Sequence, residues 1–154
     1  YTDAFFESMS GLTTTGATII TGLDNAPPGI LLWRALLQWF GGIGIIVMAI
    51  SVLPMLNVGG MQLFRLESSD TSEKILPRTA QIAGSITRLY FLITGSCLLA
   101  YWLAGMSFFD AVAHAMTTIA TGGFSTRDAS LAAFDTPLIE MVAIFFMLAS
   151  SLPF

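Results

Sequence analysis

Three long apolar segments constrain this chain more than any other feature. The first extends from about residue 29 to 56, the second from about 79 to 106, and the third begins near Pro137 and continues to Phe154. Arg34 and Arg88 are the only charges in the first two segments. Because a helix needs roughly 20 apolar residues to cross the hydrocarbon core of a bilayer, these two segments are long enough to span it. The third is long enough if it continues beyond Phe154.

Composition favours the same interpretation and excludes several classes of function. Hydrophobic residues make up 55% of the 154 residues and charged residues only 10%, whereas soluble domains carry about 25% charged residues. A net charge of -4 without a cluster of Lys and Arg argues against a nucleic-acid surface. The single Cys97 cannot form an intrachain disulfide, and no set of metal ligands surrounds it. With one His and no aligned nucleophile and base, we predict neither an enzyme nor a covalent cofactor.

The orientation of the chain is indicated by its basic residues. The polar stretch from residue 57 to Arg78 holds three of the six Lys and Arg side chains, so the positive-inside rule places it in the cytoplasm. Pro77 is predicted to lie in the first turn of the next helix. The opposite side then carries seven acids, which either attract cations or are simply solvated loop residues: Asp3, Glu7, Asp24, Asp110, Asp128, Asp135 and Glu140. Four aromatic residues are predicted to lie at the outer membrane interface: Trp33, Trp39, Tyr101 and Trp102.

An internal repeat is the most informative feature of the chain. Residues 1–18 read YTDAFFESMSGLTTTGAT, and residues 108–125 read FFDAVAHAMTTIATGGFS, which aligns without gaps at an offset of 107. Each copy is interrupted by Thr and Gly, as in segments that enter the membrane and return. We predict a short helix that starts near Asp3 or Asp110 and ends near Leu12 or Ile119, followed by an extended Thr/Gly segment.

The chemistry of such a unit suits a dehydrated cation. The negative end of each short helix would face the membrane interior, and the carbonyls of the Thr/Gly segment would replace the water shell of the ion. Gly16 and Gly123 permit a positive φ and close approach of neighbouring segments. The alternative is that these segments only pack helices, as Thr and Gly often do. That alternative predicts continuous helices through residues 12–18 and 119–125.

Other residues admit two interpretations each. His114, which aligns with Glu7, is either a proton-sensitive group or a hydrogen-bonded packing residue, and the second is favoured. Arg88 is a functional candidate because it lies in an apolar segment, but snorkelling to the cytoplasmic interface is favoured. Gly41, Gly42 and Gly44 lie inside the first apolar segment, where close helix packing explains them better than a nucleotide-binding loop.

At these motifs the chain resembles a known family. The stretches SGLTTTGAT, LLWRALLQWFGGIGIIVMAISVLP, VGGMQLFRLE and AHAMTTIATGGFSTRDAS are similar to the first and second pore repeats of the TrkH-type subunit of bacterial Trk/Ktr potassium transporters. The resemblance implies an all-α membrane protein of four tandem M1–P–M2 repeats, with re-entrant pore helices and extended filter strands. It also implies one key glycine in each strand, here Gly16 and Gly123. The implied K⁺-binding positions are Thr14, Thr15, Gly16, Thr121, Gly122 and Gly123.

The resemblance further implies how the chain is organised and what it works with. Residues 1–56 would end repeat one, residues 57–77 would be a cytoplasmic linker, and residues 78–154 would form most of repeat two. The chain would then be a fragment, with two further repeats and a gate loop in the missing part. The implied function is K⁺ uptake by a multi-pass protein of the bacterial inner membrane. The implied partners are K⁺, lipid, a second copy in a homodimer and a cytoplasmic nucleotide-binding regulatory subunit.

Overall fold

The chain folds into α-helices joined by short loops. The structure, a computed structural model, describes residues 1–52 and 72–151. Five α-helices occur in these ranges: α1 (Thr2–Leu12), α2 (Pro28–Val52), α3 (Ser72–Leu103), α4 (Phe108–Ile119) and α5 (Pro137–Ser151). Two 3-10 helices, Leu23–Asn25 and Ser130–Phe134, lie in the loops that precede α2 and α5. No β-strand is found within the described ranges, so the helical fold class is confirmed there.

Helix α4 lies at the centre of the fold. It packs against α2, α3 and α5, whereas α1 packs mainly against α2. Its small residues Ala111 and Ala115 are fully buried, which lets the surrounding helices approach closely. The core around them is completed by Trp39 from α2, Tyr101 from α3 and Ile139 from α5. The second copy of the repeat is therefore enclosed by apolar helices on several sides.

A capping motif explains where α4 begins. The hydroxyl of Ser107 accepts a hydrogen bond from the backbone N–H of Asp110 at 3.1 Å and donates one to the Asp110 carboxylate at 2.8 Å. This reciprocal pair satisfies a backbone donor that the first turn of a helix leaves free. Asp110 also lies at the positive end of the helix dipole, as predicted.

Most helix boundaries agree with the sequence-based prediction. The short helices α1 and α4 end at Leu12 and Ile119, as expected. The start of α3 differs, because the helix begins at Ser72 within the predicted linker, and Pro77 is its sixth residue rather than part of its first turn. Glu, Lys and Leu are good helix formers, so the helix extends beyond the apolar stretch that marks the spanning part. The rest of that linker up to residue 71, and Pro54, lie outside the described residues.

Two of the described helices are apolar enough to be considered as membrane segments on composition. Residues Gly84–Leu103 of α3 form a stretch of 20 residues with mean hydropathy 1.4, which is long enough to cross a membrane. Helix α5 is apolar but shorter, with 15 residues described. Helix α2 has 25 residues, which correspond to about 37 Å at the usual rise of an α-helix.

The prediction that four aromatic residues mark the membrane interface is wrong for two of them. Trp39 is 7% exposed and Tyr101 is fully buried. Each polar ring atom has a partner in the core, Trp39 Nε1 with the Thr94 hydroxyl at 3.1 Å and the Tyr101 hydroxyl with that of Thr118 at 2.9 Å. Because a threonine satisfies the polar atom of each ring, both rings are buried without an unpaired donor.

Candidate functional site

The two copies of the repeat have the same backbone hydrogen bonds after their short helices. In the first copy, Thr15 N–H donates to Ser10 O at 3.0 Å, and in the second Gly122 N–H donates to Thr117 O at 3.0 Å. Three further pairs match at the offset of 107: Thr13–Met9 with Ala120–Met116, Thr14–Gly11 with Thr121–Thr118, and Gly16–Ser10 with Gly123–Thr117. We call residues 13–18 the first loop and residues 120–125 the second loop. The repeat in the sequence is therefore also a repeat in backbone conformation.

The backbone dihedral angles of the two loops also agree. Thr14 and Thr121 have φ of +55° and +54°, and Gly16 and Gly123 have φ of +78° and +80°. Glycine adopts this left-handed conformation easily, as predicted for Gly16 and Gly123. A β-branched residue such as Thr does so only at a cost, and such strain is concentrated at functional sites.

The two loops meet at Gly16 and Gly122. A Cβ atom built on Gly16 would lie 3.1 Å from the carbonyl carbon of Gly122 and would overlap its oxygen. A side chain at position 16 would thus collide with the backbone of the second loop. The same construction on Gly123 meets nothing within 4 Å among the described residues. The structure therefore brings one predicted site residue of each copy, Gly16 and Gly122, into contact, whereas the Cβ position of Gly123 is open among the described residues.

A cavity of about 290 Å³ adjoins the second loop. Its lining contains the predicted residues Thr121, Gly122 and Gly123 but none from the first loop. The remaining lining residues are His114, Thr117, Thr118, Phe124, Ser130, Leu131 and Met147. No group of three or more His, Cys, Asp and Glu that could bind a metal occurs in the described part of the chain. The polar side chains in this lining are those of three threonines, Ser130 and His114, and backbone carbonyls are the other oxygen atoms available to a small cation there.

A buried ion pair joins α1 to α2 next to the first loop, and the sequence pattern did not predict it. Glu7 on α1 and Arg34 on α2 are 7% and 3% exposed, and Arg34 Nε lies 2.8 Å from Glu7 Oε1. The other oxygen of Glu7 accepts the backbone N–H of Ile19 at 3.2 Å. Arg34 is the only charge in its apolar segment, which is the signal that would have identified it as a candidate.

The remaining donors of Arg34 contact both loops. Nη2 donates to the hydroxyl of Thr18 at 3.0 Å, and Nη1 donates to the carbonyl of Ser125 at 3.1 Å. Thr18 and Ser125 are equivalent positions of the two copies. The guanidinium also lies over the ring of Phe124, 4.1 Å from its centroid, in the geometry of a cation–π interaction.

Gln38, one helical turn after Arg34, contacts the second loop as well. Its Oε1 accepts the backbone N–H of Phe124 at 3.1 Å, and the residue is fully buried. Its Nε2 is buried and has no hydrogen-bond partner among the described residues. A Cβ atom built on Gly122 would collide with this side-chain amide. Helix α2 therefore binds two consecutive backbone groups of the second loop, the N–H of Phe124 through Gln38 and the carbonyl of Ser125 through Arg34.

His114 takes the place of Glu7 in the second copy. Its Nε2 lies 3.4 Å from the Ser125 hydroxyl and 3.3 Å from that of Thr126, while the Glu7 carboxylate accepts from the Thr18 hydroxyl at 2.8 Å. The histidine is 3% exposed and contacts the ring of Phe134 edge-on. The interpretation of His114 as a hydrogen-bonded packing residue is confirmed.

The seven acids assigned to the outer side do not behave alike. Glu7 is buried as described, and Asp110, 4% exposed, accepts hydrogen bonds from Thr126 at 2.6 Å and Arg127 at 3.3 Å. The idea that all seven are either solvated or a cation-attracting surface is wrong for these two, because each is already paired inside the protein. Asp3, Asp24, Asp128, Asp135 and Glu140 are exposed.

Asp128 links the regions that follow the two loops. Its Oδ1 accepts the backbone N–H groups of Gly22 and Leu23, both at 3.0 Å. The hydrogen bond from Leu23, followed by that from Gly22, holds the pKa of Asp128 below its usual value. Nearby, Arg127 lies 3.6 Å from Asp24 in a half-exposed ion pair.

The glycines of α2 confirm the packing interpretation at two positions of three. A Cβ atom on Gly41 would overlap the carbonyl oxygen of Leu12, and one on Gly42 would lie 2.8 Å from the Tyr90 hydroxyl. Gly44 meets nothing within 4 Å among the described residues. Close packing therefore requires glycine at 41 and 42 and gives no reason for glycine at 44.

Fold and site together define a helical protein that contains an internally repeated helix-and-loop unit and, within the described residues, one helix long and apolar enough to cross a membrane. The family model for TrkH, described as cation transport protein, matches residues 1–154, so the chain belongs to the TrkH family.

Individual relatives agree with this assignment. The chain is 54% identical to the Trk system potassium uptake protein TrkH of Escherichia coli over 151 residues, covering 97% of this chain and 31% of that protein. It is 51% identical to the Trk system potassium uptake protein TrkI of Halomonas elongata over 154 residues, covering 99% of this chain and 31% of that protein. The crystal structure of the potassium transporter TrkH from Vibrio parahaemolyticus is similar with a TM-score of 0.81 and 49% identity, over 96% of this chain and 29% of that one. The chain thus spans about a third of the length of these relatives.

Proposed function

We propose that this chain forms part of the pore of a potassium uptake protein and that its two loops are filter strands. K⁺ would be coordinated by backbone carbonyls at the six predicted positions: Thr14, Thr15, Gly16, Thr121, Gly122 and Gly123. The relatives named above are potassium uptake proteins, which supports K⁺ as the ion. The observation that carries the proposal is the contact of Gly16 with Gly122 between two loops of the same backbone conformation.

The physical basis is the exchange of water for fixed carbonyl oxygens. Helices α1 and α4 end directly before the loops, so the partial negative charge of their carboxyl ends favours a cation beside them. Carbonyls held by a fixed backbone replace the hydration shell of the ion as it enters. The membrane potential would drive uptake with about 2.3 kcal/mol per charge per 100 mV. No residue needs to act as a catalyst, and no covalent cofactor enters this proposal.

The proposal assigns each helix a place in a repeated architecture. Helices α1 and α2 are the pore helix and M2 of repeat one, and α3, α4 and α5 are M1, the pore helix and M2 of repeat two. Residues 57–77, which include the first residues of α3, lie on the cytoplasmic side of the bacterial inner membrane in this proposal. Two further repeats complete the filter on the side where the Cβ position of Gly123 is open among the described residues. The partners implied by the family resemblance, a second copy and a nucleotide-binding regulatory subunit, belong to the same proposal.

The alternative is a structural subunit whose Thr/Gly segments only pack helices. It requires continuous helices through residues 12–18 and 119–125. In the described structure α1 ends at Leu12 and α4 at Ile119, and the residues that follow are not helical. The geometry therefore favours the filter.

The test uses the complete protein that contains this chain, expressed in bacteria that lack other potassium uptake systems. Gly16→Ser and Gly123→Ser are compared with Gly105→Ser, a glycine of similar positive φ (+106°) with nothing near its Cβ position. We expect both loop variants to lower the ratio of K⁺ to Na⁺ uptake and the control to leave it unchanged. Unchanged selectivity in both loop variants, at normal membrane abundance, would contradict the proposal.

A further inference from the structure

We propose that Arg34 is a positioning residue that fixes the spacing of the two loops and thereby sets ion selectivity. It is anchored by Glu7, and Gln38 assists it one turn further along α2. This inference rests on the proposed function, because spacing matters for selectivity only if the loops coordinate the ion.

The burial of the ion pair shows that it is part of the packed interior and not a surface contact. Glu7 and Arg34 are both less than one-tenth exposed. Removing two charges from water is expensive, and the expense is offset only when the geometry is good and the remaining donors and acceptors are satisfied. Here both oxygens of Glu7 accept hydrogen bonds, and Nε, Nη1 and Nη2 of Arg34 all donate.

The geometry of the guanidinium explains how it sets a distance. Its Nη2 binds Thr18, two residues after Gly16, and its Nη1 binds Ser125, two residues after Gly123. One rigid planar group therefore joins the same position of both loops. Because the fork of donors in arginine is fixed by resonance, the separation of its two acceptors cannot change freely. A lysine at this position has a compact ammonium that lacks the planar fork.

Gln38 extends this support along the second loop. It binds the N–H of Phe124, the residue between Gly123 and Ser125. Phe124 in turn packs its ring beneath the Arg34 guanidinium. Arg34, Gln38 and Phe124 therefore contact one another in series, and these contacts to the second loop come from α2, the helix that follows the first copy. The first copy positions the second through α2.

The arrangement is not repeated in the second copy. His114 replaces Glu7, and when α2 and α5 are aligned on their first residues, Pro28 and Pro137, Ala143 takes the place of Arg34. Ala143 is 2% exposed, so this position of α5 has a small buried apolar side chain and no charge. Within the described residues, a buried Glu–Arg pair of this kind is found only where the first loop meets the second.

The experiment separates positioning from simple stability. In the complete protein we compare Arg34→Gln, the double variant Glu7→Gln/Arg34→Gln, and Arg88→Gln, an exposed arginine on α3 that serves as the control. Each is measured for membrane abundance, thermal unfolding in detergent and the ratio of K⁺ to Na⁺ uptake. Arg34→Gln leaves Glu7 as a buried unpaired charge, whereas the double variant contains no buried charge.

We expect the double variant to recover the abundance and melting temperature that Arg34→Gln loses. Its K⁺/Na⁺ uptake ratio should nevertheless stay about tenfold below that of the unmodified protein, because no guanidinium then joins Thr18 to Ser125. A double variant with an unchanged ratio would overturn the inference. If the double variant does not accumulate, Arg34→Lys decides: a reduced ratio supports the inference, and an unchanged one overturns it.

The two proposals fail in distinguishable ways. If Gly16→Ser and Gly123→Ser leave selectivity unchanged, the filter assignment itself is wrong. If those variants alter selectivity while the Arg34 variants do not, the loops coordinate the ion but Arg34 does not position them.

Discussion

Thr14 and Thr121, 107 residues apart, have φ of +55° and +54°. This agreement shows that each copy of the repeat ends its short helix by the same left-handed turn and then presents its glycine at the same distance along the chain. Two β-branched residues in this region represent local strain that the surrounding structure maintains.

The strain at Thr121 leads to a prediction about stability. Thr121→Gly should lower the free energy of unfolding less than Ala120→Gly at the preceding residue, whose backbone is right-handed with φ -71°. At position 121 glycine avoids the penalty of about 1 kcal/mol or more that a side chain has in the left-handed region. At position 120 it increases the disorder of the unfolded chain and removes a buried methyl group. Thermal unfolding of both variants in detergent measures the difference. A greater loss at position 121 would show that the conformation is not strained.

The contact of α2 with the end of α1 predicts different responses at two glycines of α2. Gly41→Ala should destabilise the protein by about 1–3 kcal/mol, because the new methyl group collides with the backbone of Leu12. Gly44→Ala should be neutral or stabilising by up to about 1 kcal/mol, because alanine is the better helix former and no described residue lies within 4 Å of the Cβ position. Melting temperatures of the two variants check this, and equal effects would argue against the close approach at Gly41.

The buried hydroxyl pair between α3 and α4 predicts an energetic coupling. Tyr101→Phe and Thr118→Val should each destabilise the protein by about 1 kcal/mol, since each leaves a buried hydroxyl unpaired. The double variant should lose less than the sum of the two, as expected for residues in direct contact. Thr118→Ser retains the hydroxyl and is the control. Additive losses in a double-mutant cycle would show that the two groups do not interact.

The loop contact of Asp128 predicts a pH dependence. Because the backbone donors lower its pKa in the folded protein, the ionised form contributes stability that is present above the unfolded pKa of about 3.9 and is lost as the pH falls through the lower folded value. The melting temperature of Asp128→Asn should therefore lie below that of the unmodified protein at pH 6, and the two should converge only as the pH falls below the lowered folded pKa of Asp128. A difference in melting temperature that stays constant with pH would contradict the lowered pKa of Asp128.

The features that the sequence predicted correctly depend on residues close to one another in the chain. Apolar runs indicated the helices, and the repeat indicated that α1 and α4 would end at Leu12 and Ile119. The positive φ of Gly16 and Gly123 follows from the conformational freedom of glycine. The start of α3 was missed because hydropathy measures the part of a helix suited to lipid and not the whole helix.

The hydrogen bonds that Arg34 and Gln38 make around the two loops could be found only in the tertiary structure. Arg34 binds Glu7, 27 residues away, and Ser125, 91 residues away, and Gln38 binds Phe124, 86 residues away. The burial of Trp39 and Tyr101 likewise depends on how α2 and α3 pack around α4. Hydropathy and local spacing describe what a residue prefers among its neighbours in the chain. Which partners satisfy a buried polar group is determined only when distant helices come into contact.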